Sequence, residues 1–164
     1  MIKVNTNPEV ILHYLQQNLY DVTNRQESLW FKKTKLYSYD SLLAIIDPAN
    51  KVLCIDKDIR CYSNTTAKQT HILVSRANRA NFSIFSIPLE TSPEKVLMYY
   101  WNLVEGYIAK YNRAIKHKEY YNSLIKALLN EAELYANYTQ INKKSKEYKY
   151  KTKLVKQLFE YKLL

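Results

Sequence analysis

Glycine is almost missing from this sequence: Gly106 is the single one in 164 residues. That excludes the glycine-rich loops that cradle phosphates in nucleotide-binding enzymes. Proline is scarce as well, with four residues and no low-complexity tract, so the chain reads as ordered throughout. The two cysteines, Cys54 and Cys61, form no Cys-x-x-Cys pair and fit neither a disulfide framework nor a zinc site. No apolar run approaches the length of a membrane span, and no secretory leader is legible, so a soluble cytoplasmic setting is expected. Acid is also in short supply, and the formal charge is +10. This sign excludes mimicry of DNA and calls for an acidic partner.

What the chain has in excess is lysine and tyrosine, and both are skewed. Residues 107–164 carry 13 basic and 5 acidic side chains, against 12 and 10 in residues 1–106. Of the 16 tyrosines, 11 lie beyond Ser92. Two parts follow: a small α+β module over 1–90 and a basic, tyrosine-rich helical hairpin over 91–164, expected to form one compact unit.

In the first part, Asn7-Pro8-Glu9 marks a helix start, and Ile11, Leu12, Leu15 and Leu19 give that helix an apolar side up to Tyr20. Asp21 to Glu27 reads as a loop. Leu29-Trp30-Phe31 begins a strand that Leu36 to Tyr39 extends. Leu42–Ile46 and Val52–Ile55 are strands joined by the Asp47-Pro48-Ala49-Asn50 turn. Arg60 to Tyr62 adds a short strand, giving an antiparallel meander. A helix follows, with Thr66 and Gln69 fitting a capping box and Ser63, Asn64 and Thr65 as alternative caps. Asn81 to Leu89 is a further strand. The fold class is α+β, a small antiparallel sheet covered by helices, with a long C-terminal antiparallel helical hairpin.

Ser92-Pro93 starts the long helix. Leu97, Trp101, Val104, Ile108, Tyr111 and Ile115 recur along one face, and Ile125, Leu128, Leu129, Ala132 and Ala136 resume it. Neither proline nor glycine interrupts the basic stretch between, so one continuous helix to about Thr139 is expected. Gly106 inside it predicts close packing against another element. A polar turn from Thr139 to Asn142 then leads into a returning helix with Tyr148, Leu154, Val155, Leu158, Phe159 and Tyr161 on its apolar side. The first apolar stripe is longer than the second can cover, which predicts a homodimer through the long helices.

Candidate binding residues follow from this layout. Lys110, Arg113, Lys116, Lys118, Tyr120 and Tyr121 interleave charge with rings, and Lys143, Lys144, Lys146, Lys149, Lys151, Lys153 and Lys156 follow them. Lysines neutralise phosphates and tyrosines stack on bases or fill protein interfaces. The same array equally fits a solvated charged face with tyrosines packed between two helices. Lysine outnumbering arginine argues against base-edge readout. His13 and His117 read as core or surface residues. His71, with Thr70, Ser75 and Arg76 on one helix, is the weak candidate for a small nuclease or modifying enzyme. Asp56 and Asp58 read as a solvated turn. No catalytic residue, metal or cofactor is expected.

One stretch resembles a known domain. Tyr37-Ser38-Tyr39 leading into Leu42–Ile46, then Lys51-Val52-Leu53, then Tyr62-Ser63-Asn64-Thr65-Thr66-Ala67-Lys68-Gln69, is similar to a small uncharacterised domain of phage and mobile-element proteins, over about residues 36–73. Members often carry histidine where Gln69 stands here. The resemblance implies a phage-type origin and no inherited catalytic residue. With the charge, it leads to an expected accessory protein that binds and inhibits a host nucleic-acid-handling or defence complex, in the manner of an anti-CRISPR protein. The alternative is a nonspecific nucleic-acid-binding protein.

Overall fold

A computed structural model describes residues 1–17, 21–58, 63–141, 145, 146, 148–150, 153 and 154. The chain divides into two compact units, Met1–Leu89 and Glu90–Leu164.

In the first unit the strands are β1 (Ile2–Val4), β2 (Val22–Asn24), β3 (Leu29–Lys32), β4 (Lys35–Ser38), β5 (Ser41–Asp47), β6 (Val52–Asp56) and β7 (Ser83–Ile87). Its helices are α1 (Asn7–Leu15) and α2 (Asn64–Arg79). The seven strands form one sheet in sequence order. β2 to β6 make an antiparallel meander, but β1 pairs parallel to β2, and β7 parallel to β6. The sheet is therefore mixed, which corrects the wholly antiparallel expectation. Each parallel pair is bridged by a helix, α1 or α2. Both crossovers step the same way across the sheet between strands of the same direction. The right-handed rule then puts both helices on one face, and α1 and α2 do pack together.

Alternation along the strands fills the space beneath them. Leu29, Phe31, Leu36, Ala44, Ile46, Leu53 and Ile55 form one core with Val10, Ile11 and Tyr14 of α1 and with Leu73 and Ala77 of α2. Tyr14 is fully buried, and its hydroxyl donates to the Thr34 carbonyl at 2.9 Å. Burial, with the nearby Cys54 second, pushes its ionisation well up. Leu12, expected on the apolar side, is 42% exposed. The N-cap of α1 is Thr6, which forms a capping box with Glu9. At α2 the cap is Ser63, not Thr66, so the Thr66 and Gln69 side chains are free to point inward. Leu36 to Tyr39 does not extend β3; the chain turns at Lys33 and returns as β4. The expected strand over Arg60 to Tyr62, Leu19 and Tyr20 lie outside the described residues.

The inward side chains meet. The Ser38 hydroxyl donates to Gln69 Oε1 at 2.7 Å and lies 2.9 Å from Thr66 Oγ1, which is 3.2 Å from Ser63 Oγ. A hydroxyl has one proton, so Ser38 must accept from Thr66, and Thr66 from Ser63. Gln69 Nε2 reaches the Ser28 carbonyl at 3.4 Å, and Asn24 Nδ2 donates to Ser28 Oγ at 2.8 Å and to Asn7 Oδ1 at 2.6 Å. This buried chain ties the start of α1 to the start of α2 across the ends of β2 and β4.

In the second unit, α3 (Pro93–Arg113) is capped by Ser92, as the sequence predicts, and α4 runs from Lys118 to Tyr138. The long helix is not continuous. Ala114 is extended (φ −73°, ψ 129°) and His117 is left-handed (φ 64°, ψ 24°). Tertiary packing overrides local preference at this point. A straight helix would leave its stripe in water, whereas the break lets one half pack against the other. Contacts between Tyr100 and Tyr135, Tyr107 and Tyr121, and Tyr111 and Lys118 set the two helices antiparallel. The single long helix is thus two, and α3 and α4 form a hairpin of their own; beyond it, Lys146, Tyr148, Lys149, Tyr150, Lys153 and Leu154 are helical, in the stretch where the lysine-rich returning helix is expected. The two halves of the apolar stripe pack on each other across the hairpin of α3 and α4. Gly106 is exposed, with open space where a Cβ would sit, so the close-packing expectation for it fails. Most of the expected returning helix lies outside the described residues, including Val155, Leu158, Phe159 and Tyr161.

Candidate nucleic-acid interface

The end of the hairpin where α3 meets α4 gathers four cations within nine residues. Lys110 and Arg113 close the last turn of α3, Lys116 sits in the connection, and Lys118 opens α4. All four are exposed. The acids nearby are Glu105 and Glu119. Glu105 is engaged, accepting a hydrogen bond from the Tyr150 hydroxyl. That bond raises the Tyr150 ionisation.

Two of these cations lie over tyrosine rings. Lys110 Nζ lies 4.9 Å from the Tyr107 ring centre, and Lys118 Nζ 5.1 Å from that of Tyr111. Tyr107 faces Tyr121 across the hairpin at 6.3 Å, and Tyr121 meets Tyr120 edge-on at 5.6 Å. Tyr120 is 60% exposed, with most of its ring in water. The tip therefore offers ordered ammonium groups and one open aromatic face. Such a surface pairs with phosphates and stacks on a base. Two tyrosines instead hold the helices together: Tyr100 donates to Glu131 at 2.8 Å and stands 6.2 Å from Tyr135. The sequence alternatives are thus divided between residues, with packing tyrosines along the shaft and an open one at the tip.

The second lysine group is partly in view. Lys146, Lys149 and Lys153 are exposed, and Lys153 lies 5.9 Å from the Tyr150 ring centre. The Tyr150–Glu105 bond sets this stretch beside α3. Lys143, Lys144, Lys151 and Lys156 lie outside the described residues. The residue that sequence reasoning misplaced is Ile115. Its spacing put it on the apolar face, yet it is 96% exposed in the connection. Its one visible signal is isolation, with charged residues and His117 following it directly.

The other candidates are dispersed. His71 is exposed beside a hollow of about 590 Å³ lined by Asn64, Ala67, Lys68 and Ile72. The Thr70 hydroxyl is committed to the Thr66 carbonyl at 2.8 Å. Asp58 pairs with Lys57 at 2.5 Å, and its own N–H donates to Asp56 Oδ1 at 3.2 Å, a closed turn. Burial, with the Asp47 carboxylate second, pushes the Cys54 thiol up to about 11. Among the described residues no cluster of three His, Cys, Asp or Glu could hold a metal ion, and no helix is long and apolar enough to cross a membrane.

No protein-family model, curated protein or solved structure matches the chain.

Proposed function

We propose that this chain is a non-enzymatic binding protein that grips the backbone of a nucleic acid with the tip of its C-terminal hairpin. The observation that carries this reading is the set of four exposed cations, Lys110, Arg113, Lys116 and Lys118, around one helical connection, two of them held over tyrosine rings. Lysines kept in place in the free protein lose less freedom on meeting phosphates, which favours binding. Contacts to phosphate carry no sequence information, so little sequence preference is expected. The test is fluorescence anisotropy on a duplex of arbitrary sequence across a salt series. Four phosphate contacts give a slope of log affinity against log salt of about −3.6, from roughly −0.9 each. A flat salt dependence sinks the reading.

A second reading places this grip in a biological role. The resemblance of residues 36–73 to a phage and mobile-element domain favours an accessory protein that blocks a host nucleic-acid-handling or defence complex in the bacterial cytoplasm, as anti-CRISPR proteins do. Retrieval of partners from host lysate with and without nuclease separates the two. A protein partner that survives nuclease supports the inhibitor; loss of every partner supports the plain nucleic-acid binder.

A further inference from the structure

We infer that Ile115 is a wedge that enters the base stack of duplex DNA while its cationic neighbours hold the flanking phosphates. The inference rests on the nucleic-acid reading above and adds a target preference to it.

Ile115 is 96% exposed, well beyond Tyr120 at 60% and Leu134 at 53% in the same unit. The backbone presents it there. Extended Ala114 ends α3, and left-handed His117 turns the chain into α4, leaving Ile115 and Lys116 at the apex. From Arg113 to Glu119 every residue except Ala114 and Ile115 is charged or titratable. An apolar side chain alone at the apex of a basic loop has no role in a merely solvated tip. Proteins that kink DNA use this chemistry: one isoleucine, leucine, methionine or phenylalanine unstacks a base step while cations secure the backbone. The apex suits a lipid surface less well, because interfacial anchors spread several large apolar residues over one face, and here Ile115 is accompanied only by the partly exposed Tyr120. Steps that open easily, above all mispairs, are the preferred targets, because less unstacking has to be done.

The experiment uses the full chain and two duplexes identical except for one mispair, with 2-aminopurine beside it. Anisotropy reads affinity and 2-aminopurine fluorescence reads unstacking. The wild type is expected to bind the mispaired duplex about tenfold more tightly, worth about 1.4 kcal/mol, and to raise the fluorescence on binding. Ile115→Ser should keep the matched-duplex affinity within about twofold and the same salt slope, yet lose both the preference and the fluorescence rise. Ile115→Leu should retain both. Because the side chain is in solvent, neither substitution disturbs packing, and an unchanged melting curve checks this. Equal behaviour of wild type and Ile115→Ser on both duplexes overturns the wedge and leaves the proposed grip standing. Absence of binding to either duplex at low salt overturns the grip and the wedge with it. Cosedimentation with phosphatidylserine vesicles that depends on Ile115, without a mispair preference, overturns the wedge in favour of a lipid contact.

Discussion

Removing the Ser38 hydroxyl tests whether the buried polar chain holds the first unit together. Ser38 is 2% exposed and sits between Thr66 Oγ1 at 2.9 Å and Gln69 Oε1 at 2.7 Å. In Ser38→Ala the Gln69 carbonyl oxygen loses the short bond from Ser38, and the Thr66 proton loses its acceptor. Thr66 and Gln69 are themselves 4% and 1% exposed, so water does not readily replace either bond. Each stranded buried group costs about 1–3 kcal/mol, and partial relaxation brings the pair to about 2–4 kcal/mol. With a urea m-value of roughly 1–3 kcal/mol per molar, the midpoint should fall by about 1–2 M. Adding Gln69→Leu removes one of the stranded partners. The double variant should then be more stable than the sum of the single losses implies, by at least about 1 kcal/mol. Gln69→His, the residue common at this place in the resembling domain, offers a ring nitrogen to Ser38 and should cost less than Gln69→Leu. A loss below about 0.5 kcal/mol for Ser38→Ala, or strict additivity in the double, refutes the reasoning, because the chain would then be exchanging freely with solvent.

Replacing Arg113, Lys116 and Lys118 together with glutamine should reduce the salt slope by about 2.7 and weaken all duplex sequences alike, read by anisotropy. Gly106→Ala should stabilise α3 by roughly 0.5–1 kcal/mol in chemical denaturation, since Cβ meets open space there. His71→Ala should leave binding and melting unchanged; selective loss of a cellular activity would restore the enzyme alternative. Cys54, with Cys61→Ser to isolate it, should resist alkylation at pH 8, where only about one thiol in a thousand is ionised. Its folded ionisation lies above a thiol's ordinary 9.0, so its contribution to stability is complete below pH 9 and is lost as pH rises toward about 11.

Where local chemistry decided the structure, the sequence was readable. Ser92-Pro93 starts α3 because a hydroxyl cap and a proline with no N–H to satisfy suit the first turn. β3 and β5 to β7 were visible in their apolar residues, but β4 read as an extension of β3, because the turn at Lys33 carries neither glycine nor proline. β1 and β2 were not visible, because Ile2–Val4 and Val22–Asn24 are too short to show a period and gain their strand character only by pairing. The parallel pairing of β7 with β6 depends on α2 carrying the chain back to the starting end of the sheet, which residue patterns within a strand do not show. The break at Ala114–His117 had no proline or glycine to announce it. It arises because two halves of one stripe are better buried against each other. That break also moved the site: Lys110 to Lys118, expected along a shaft, became an apex, and Ile115 moved from the apolar face into solvent.

The order of the strands has a consequence for how the protein is made. Because strand order equals sequence order, every strand pairs only with the one synthesised before it and the one synthesised after it. From β2 to β6 nothing has to wait for a distant segment, and the loops to be closed are short, which favours fast folding. The sheet can therefore grow in the direction of translation, each new strand adding to the edge left by the last. The longest wait falls at β7, which reaches its place beside β6 only after α2 has been made. Until then β6 is an open edge, and a ribosome stalled within α2 would hold the nascent chain in its most adhesive form.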